Sequence, residues 1–354
     1  MKNHTIRQSA TIIEALSRLN DLSGGLMTLL VTAPDGSMAG TLTDGDVRRA
    51  LLRGLSLTSP VEMAMKRDYR FIRKDDPDTV ATIRRLRQLG LRLIPILDDN
   101  GHILRIIDTS VTSTLLPLRA ILMAGGKGER LRPLTLETPK PLLPVGGRAI
   151  IDHNIASLAA AGIDHISVTV NYLAEKIEQH FATPVAGVSV RCIREPRQLG
   201  TIGSALLCDI PPEGQTLVMN SDLLTTISFE DMYIHHAAEQ ADITIAAIPY
   251  SIPVPYAILS TEGSRVKALE EKPSYTYYAN AGIYIISNHL LRNLPSDERT
   301  DATDLIDSVI ASGGKVTFYP ISGTWIDIGT PADYAHACQL MKHIMNTPST
   351  RTLE

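Results

Sequence analysis

The sequence predicts an α/β protein: a mostly parallel mixed sheet flanked by helices over about residues 117–345, preceded by a smaller α+β module over 1–116. Three observations predict this. Beyond Pro117, short apolar strands alternate with helical segments, the order that builds a parallel sheet covered on both faces. Ahead of it, one helix–strand–turn–strand pattern occurs twice. The length of 354 residues also exceeds one average domain.

The first copy of the repeat, about residues 1–58, runs from a helical TIIEALSRLN through the strand LMTLLVT and a Pro34-Asp35-Gly36 turn to MAGTLTDGDVRRALLRG, strand into helix. The second, about 59–116, runs from DTVATIRRLRQLG through LRLIPIL and an Asp99-Asn100-Gly101 turn to HILRIIDTSVTSTL. One copy is too small to bury both of its faces, so the pair is expected to pack as one module. The second part opens on the strand Arg119 to Met123. It continues with HISVTVN, a helix near AEKIEQHF, VSVRCIRE, a helix near GSALLCD, LVMNSD, a helix near EDMYIHHAAEQ and DITIAAIP. Later YAILS, RVKALEE, NAGIYIIS and KVTFYPI suggest an antiparallel portion over the substrate side, and PADYAHACQLMKHI the last helix. Residues 346–354 read as a polar tail.

A hydrophobic content of 44%, a charged content of 20% and a net charge of −4 give no basic footprint, so a nucleic-acid partner is not expected. No apolar run approaches about 18 residues and the N-terminus is polar, so neither a membrane partner nor a secretory leader is expected, and a cytoplasmic location is. Cys192, Cys208 and Cys338 show no paired spacing, and the ten histidines form no zinc pattern.

Residues 122–145, LMAGGKGERLRPLTLETPKPLLPV, carry the strongest chemical signal. Gly125, Gly126 and Gly128 follow the short strand Arg119 to Met123, whose Leu122 is counted with them at the nucleotide, and let backbone N–H groups approach an anion without Cβ interference. Arg130 adds a planar fork and Lys140 a mobile point charge, a combination suited to a nucleoside triphosphate. The spacing is neither a Walker loop nor a G-x-G-x-x-G turn.

This stretch resembles the signature of the sugar-1-phosphate nucleotidyltransferases, close to L-A-G-G-x-G-T-R-L-x-P-x-T followed by P-K-P-L-x-P-V, with Glu129 where Thr is usual. The resemblance implies a Rossmann-like nucleotidyltransferase fold that joins a nucleoside triphosphate to a sugar 1-phosphate and releases pyrophosphate. It implies Arg130 and Lys140 as the catalytic cations and Mg2+ as cofactor. Magnesium takes one or two carboxylates plus substrate phosphate oxygens. Asp222, after the strand LVMNS, stands in the place of the family's V-x-N-G-D element, and Asp327, in Trp325-Ile326-Asp327-Ile328-Gly329-Thr330-Pro331, in its W-x-D-x-G-T-P element. Both are also residue types that form turns and caps.

On the sugar side, Glu270-Glu271-Lys272-Pro273 and Asn280-Ala281-Gly282 resemble the family's E-K-P and N-A-G elements. The resemblance makes Glu271 an acceptor for sugar hydroxyls and Lys272 a partner of the sugar phosphate. Asn280 and Gly282 would line the ring, and Tyr256 stands at a usual Tyr-Gly with Ala257 in place of the glycine. Glu195 to Thr201, with Gly200, resembles the element against the base. A carboxylate accepts from both N–H donors on one edge of guanine and matches thymine poorly, so Glu195 favours GTP.

In the N-terminal repeat, Gly40-Thr41-Leu42-Thr43-Asp44-Gly45-Asp46 resembles a cystathionine-β-synthase (CBS) motif, and a tandem pair is that family's regulatory (Bateman) module. The resemblance implies an adenine-nucleotide ligand, with Thr43 at a phosphate and Asp46 at the ribose hydroxyls. Ile107 and Ser110 stand at the matching positions of the second copy, so at most one site is expected. A purely dimerising role stays open, and a homo-oligomer is expected. A CBS pair ahead of such an enzyme resembles the guanylyltransferases that activate glucosamine-1-phosphate for legionaminic acid synthesis. Mannose-1-phosphate with GTP, glucose-1-phosphate with another triphosphate, and a non-catalytic regulator that binds a nucleotide sugar stay open.

Overall fold

The structure, a computed structural model, describes residues 4–296 and 298–346; most of the expected polar tail lies outside them. Two compact units divide at Leu115/Leu116.

The first unit is a duplication in space as well as in sequence. β1 (Thr5–Arg7), α1 (Ile12–Asp21), β2 (Thr28–Thr32), β3 (Met38–Thr43) and α2 (Asp44–Leu52) form the first copy. β4 (Ile72–Arg73), α3 (Thr79–Gln88), β5 (Leu93–Leu97) and β6 (Ile103–Asp108) form the second. Each copy has a three-stranded sheet in sequence order, one pair parallel and the next antiparallel. Ile12, Ala15 and Leu19 of α1 and Val80, Ile83 and Leu86 of α3 are buried at helical spacing. The copies join where Met38 N–H donates to the Gly101 carbonyl at 2.9 Å and Leu30, Met38 and Leu97 share a core. After β6 the second copy turns at Thr109 to Val111 with no counterpart of α2.

α2 begins with a capping box that uses Thr43 and Asp46 on each other. The Asp46 carboxylate is 4% exposed. It accepts from the Thr43 N–H at 3.0 Å and hydroxyl at 2.6 Å, and pairs with Arg49 at 2.6 Å and Lys66 at 3.6 Å. The two residues expected to meet phosphate and ribose thus also hold the helix start.

The second unit is built from β7 (Leu118–Ala124), β8 (Pro144–Val145), β9 (Arg148–Ala149), α4 (Ile150–Ala160), β10 (Ile166–Val170), α5 (Ala174–His180), β11 (Val190–Arg194) and β12 (Gln215–Asn220). There follow β13 (Leu223–Thr225), α6 (Phe229–Glu239), β14 (Ile243–Pro253), β15 (Ile258–Glu262), β16 (Arg265–Glu270), β17 (Ser274–Ser287) and α7 (Asn288–Arg292). α8 (Ala302–Ala311), β18 (Val316–Pro320), β19 (Trp325–Asp327) and α9 (Pro331–Asn346) complete it. A seven-stranded sheet has the order β11-β10-β7-β12-β17-β14-β18. Its first four strands are parallel, β17 runs antiparallel to both neighbours, and β18 is parallel to β14. The chain winds one way from β7 through β10 to β11 and then crosses back to β12. A crevice therefore opens at the carboxyl ends of β7 and β12, where ligands bind in such sheets.

Two expectations are corrected. The segment near GSALLCD forms a 3-10 turn, Gly203–Leu207, because it is pinned at Gly203 against Thr300 and has no helix-length amphipathic run. β15 and β16, the YAILS and RVKALEE stretches, pair antiparallel with each other in a separate ribbon, whereas β18, the KVTFYPI stretch expected in the antiparallel portion, runs parallel to β14. The three cysteines are free thiols. Among the described residues no helix is long and apolar enough to cross a membrane.

Candidate active site

A cavity of about 520 Å³ lies at the carboxyl ends of β7 and β12, within the range of small-molecule sites. Its wall brings together Gly125, Gly126, Gly128, Arg130, Lys140, Glu195, Gly200, Thr201 and Asp222, residues far apart in the chain.

The glycine loop leaves β7 as its last apolar residues become buried, Leu122 among them, so Leu122 supports the loop from the core and is not part of the cavity wall. Gly128 has φ +60°, and a Cβ there would meet Thr135 Cγ2 at 3.0 Å and Lys140 Cβ at 3.2 Å. The Thr135 hydroxyl donates to the Gly128 carbonyl at 2.8 Å, fixing the turn beside the segment that carries Lys140. Around Gly126 there is open space, as an anion approaching backbone N–H groups requires.

The two candidate metal ligands meet because β13 and β19 pair antiparallel, with Leu223 opposite Asp327 and Ile328 N–H donating to the Asp222 carbonyl at 3.2 Å. Lys140 Nζ donates to Asp222 Oδ2 and lies 3.7 Å from Asp327 Oδ1. Asp222 Oδ1 is buried with no hydrogen-bond partner. The Asp327 carboxyl is pushed above its ordinary pKa by burial and by the Asp222 charge, against the pull of Lys140 and Arg130. Arg130 lies against Gly329, where a Cβ would come within 3.1 Å of Nη2. Asp327 itself stands behind Lys140 and outside the cavity wall.

The residues present fit a magnesium ion. A buried carboxylate oxygen without a partner costs free energy unless a cation or donor satisfies it. Among the described residues no group of three or more His, Cys, Asp or Glu is placed to hold a metal, so the donor set is two carboxylates. That set suits an ion shared with substrate phosphates rather than one caged by protein.

Glu195 follows β11 and is 7% exposed beneath the loop. Its Oε2 accepts from Leu199 N–H at 3.4 Å, and the nearby hydroxyls of Thr169 and Ser204, joined by a bond of 3.1 Å in which Ser204 donates, favour its charged form. Oε1 would lie 2.8 Å from a Cβ at Gly125. Burial raises the Glu195 pKa despite these bonds. Gly200, at φ +88°, lets the following turn press against the Thr300 carbonyl, while Thr201 N–H donates to Asp301 Oδ1 at 2.8 Å and Ala302 N–H to the Thr201 hydroxyl at 2.8 Å.

The sugar-side candidates divide. Gly282, at φ +70°, packs on Asn220, whose Nδ2 would be 2.5 Å from a Cβ there, and Asn220 lines the cavity. Asn280 is exposed and bonded locally, its Oδ1 accepting from Gly282 N–H at 2.9 Å and its Nδ2 donating to Tyr284 at 3.0 Å. It therefore shapes the backbone instead of facing the cavity. Tyr256, Glu271 and Lys272 are exposed on the ribbon that carries β15 and β16 and do not line the cavity. The sequence reading missed Gln198, Asn220, Arg299 and Asp301, which do line it. Asn220 lay inside a motif already singled out. Asp301 carried only a helix-start signal, Asp301 to Asp304, which the structure confirms as a capping box.

A family model described as nucleotidyl transferase matches residues 119–343. Mannose-1-phosphate guanylyltransferase of Mycobacterium tuberculosis is 30% identical over 240 residues, covering 66% of this chain and 67% of that protein. The mannose-1-phosphate guanylyltransferase catalytic subunit beta of Danio rerio is 32% identical over 226 residues, 61% of this chain and 62% of that protein. The chain spans about 60% of the length of the first curated relatives it matches. A Bacillus anthracis protein provisionally named glucose-1-phosphate thymidylyltransferase, crystallised with sucrose, superposes with a TM-score of 0.52 at 24% identity, over 64% of this chain and 95% of that one. At that identity the likeness speaks for the fold alone.

Proposed function

The chain belongs to the nucleotidyl transferase family, and on that premise we propose that it is a sugar-1-phosphate nucleotidyltransferase that uses GTP. One observation carries the reading: a glycine loop, a lysine and Asp222 converge on one cavity, and Asp327 reaches the same lysine from outside its wall. The sugar phosphate oxygen attacks the α-phosphorus of the triphosphate. The bond from that phosphorus to its bridging oxygen breaks, and pyrophosphate leaves with the electron pair.

No group on the protein needs to bond to substrate for this; placement in line and neutralisation of charge suffice. The loop N–H groups and Arg130 hold the phosphate oxygens. Lys140, poised between two acids, is drawn onto a phosphate when the triphosphate arrives. Asp222 and Asp327 would hold magnesium, which when bound offsets phosphate charge. Glu195, fixed by Leu199, Thr169 and Ser204, accepts from the guanine N–H edge. Lys272 and Glu271 lie outside the cavity on the exposed ribbon, so this reading rests on no contact of theirs.

The relatives named for mannose-1-phosphate make that sugar the first to test, with glucosamine-1-phosphate the second. The N-terminal duplication is proposed as a CBS pair that binds an adenine nucleotide. The deciding experiment is pyrophosphate release by the purified full chain with GTP, dTTP, UTP, CTP and ATP against mannose-, glucosamine- and glucose-1-phosphate. Turnover with GTP supports the reading. Turnover only with another triphosphate removes the role of Glu195, and tight binding without turnover for any pair makes the protein a regulator.

A further inference from the structure

Lys140 enters the site on a stiff turn. Pro139 and Pro141 flank it, Leu142 N–H donates to the Pro139 carbonyl at 2.8 Å, and Leu143 N–H donates to that of Lys140 at 3.1 Å. Its stem is backed by Gly128, where a Cβ would crowd Lys140 Cβ at 3.2 Å. Of the three charged side chains that meet here it is the most buried, 12% exposed against 21% for Asp222 and 41% for Asp327. The ammonium donates to Asp222 Oδ2 and lies 3.7 Å from Asp327 Oδ1. The backbone and the burial of the stem, not a chance rotamer, hold this cation between the two acids.

Two carboxylates and one ammonium leave a single net negative charge. A divalent ion added beside the ammonium meets repulsion as well as attraction, and magnesium gives up its water reluctantly. We propose, on the two-carboxylate reading of the metal site given above, that Lys140 is the resident counter-ion of Asp222 and Asp327 and holds free divalent metal off them until a triphosphate draws the ammonium away. Half-buried carboxylates need a cation in either state, and removing one partner of such a pair leaves an uncompensated charge. Lys140 meets that need in the free protein. When nucleotide arrives the same ammonium turns to phosphate oxygens, and only then are both acids free to act as ligands. The exchange sets an order of events: nucleotide first or together with its metal, and metal alone not at all.

Manganese, standing in for magnesium, is the probe, and its binding to the purified full chain without nucleotide is read from the paramagnetic resonance of the free ion. Wild type is expected to bind it no tighter than roughly the millimolar range of weak oxygen-ligand sites. A unit charge and a divalent one about 4 Å apart repel enough, even at the dielectric constant of water, to change an affinity by roughly tenfold or more. Lys140→Met and Lys140→Gln are therefore expected to bind manganese at least about tenfold tighter than wild type, and adding Asp222→Asn to either is expected to remove the gain. Wild-type binding as tight as that of the variants overturns the inference, and so does a folded variant that gains nothing. A second measurement, manganese binding in the presence of GTP, separates this failure from that of the metal site itself. If Asp222→Asn weakens binding there, the site stands and only the role of Lys140 falls; if Asp222→Asn changes nothing there, both fall.

Discussion

Lys140 is held by charge: its ammonium sits between Asp222 and Asp327, paired with Oδ2 of Asp222, whose Oδ1 is buried without a partner. Asp222→Asn keeps the size and removes the charge. It is expected to lower kcat by on the order of 10²–10³-fold, the scale of losing one preorganised electrostatic contact, while the melting temperature shifts by only a few degrees; pyrophosphate release and a thermal melt check both. Full activity would remove the acid from the metal assignment. At Glu195 the sign of the pH effect is set by its raised pKa. Between the unfolded carboxyl pKa and the higher folded one, the native state binds more protons, so stability falls as pH rises through that window. Glu195→Gln is expected to flatten this fall in urea titrations across acidic pH, and to weaken discrimination between GTP and dTTP in initial rates. The glycines, Arg130 and Lys140 were legible from residue type and order, and the two acids from motifs that resemble the family's. Arg299 and Asp301 were not, because nothing in an Asp-x-x-Asp helix start says which distant loop it will clamp.

Asp327 ends a strand of three residues, and Asp222 immediately precedes the three-residue strand that pairs with it. A comparable dependence links the turn at Gly200 to the start of α8, where the loop and residues 299–302 exchange three backbone and two side-chain hydrogen bonds. Gly200→Ala puts a Cβ onto the Thr300 carbonyl at a left-handed φ. It is expected to destabilise by roughly 1–3 kcal/mol and to raise the KM for nucleotide, measured by denaturant unfolding and by steady-state rates. A wild-type KM and stability would show that the turn yields freely. α6 offers a pH test away from the cavity. His236, buried against Thr244 of β14, has its pKa lowered to about 4, first by burial. The unfolded chain therefore binds the extra proton first, and stability present above pH 6.5 is lost as pH falls towards 4, by about 3 kcal/mol for a shift of this size. A His236→Leu variant should lose less over the same range in urea titrations; an equal slope would place the proton elsewhere. The alternation of strands and helices was readable from periodicity. That β15 and β16 form a ribbon of their own was not, since a strand's pattern of side chains does not name its partner.

At the scale of the molecule, the N-terminal unit has cores around Ile12, Leu29 and Val47 and around Ile72, Ile83 and Ile94, and the C-terminal unit has others around Val218 and Ile150. Two calorimetric transitions are expected. GTP with magnesium should raise only one of them, and if the duplication binds an adenine nucleotide, AMP should raise the other in wild type and not in Asp46→Ala. A single transition moved by both ligands would contradict separate units. Because Asp46 is also part of the α2 capping box, its substitution should cost about 1 kcal/mol in that transition. The sequence by itself determined the two units, the mostly parallel sheet and the glycines and fixed charges at the cavity, because periodicity, glycine spacing and fixed charges are local properties of a chain. Only the tertiary structure decided that Asp222 and Asp327 share one lysine and that Thr43 and Asp46 serve a helix cap. It alone left Tyr256, Glu271 and Lys272 on an exposed ribbon, since strand pairing and burial depend on residues far away in the chain.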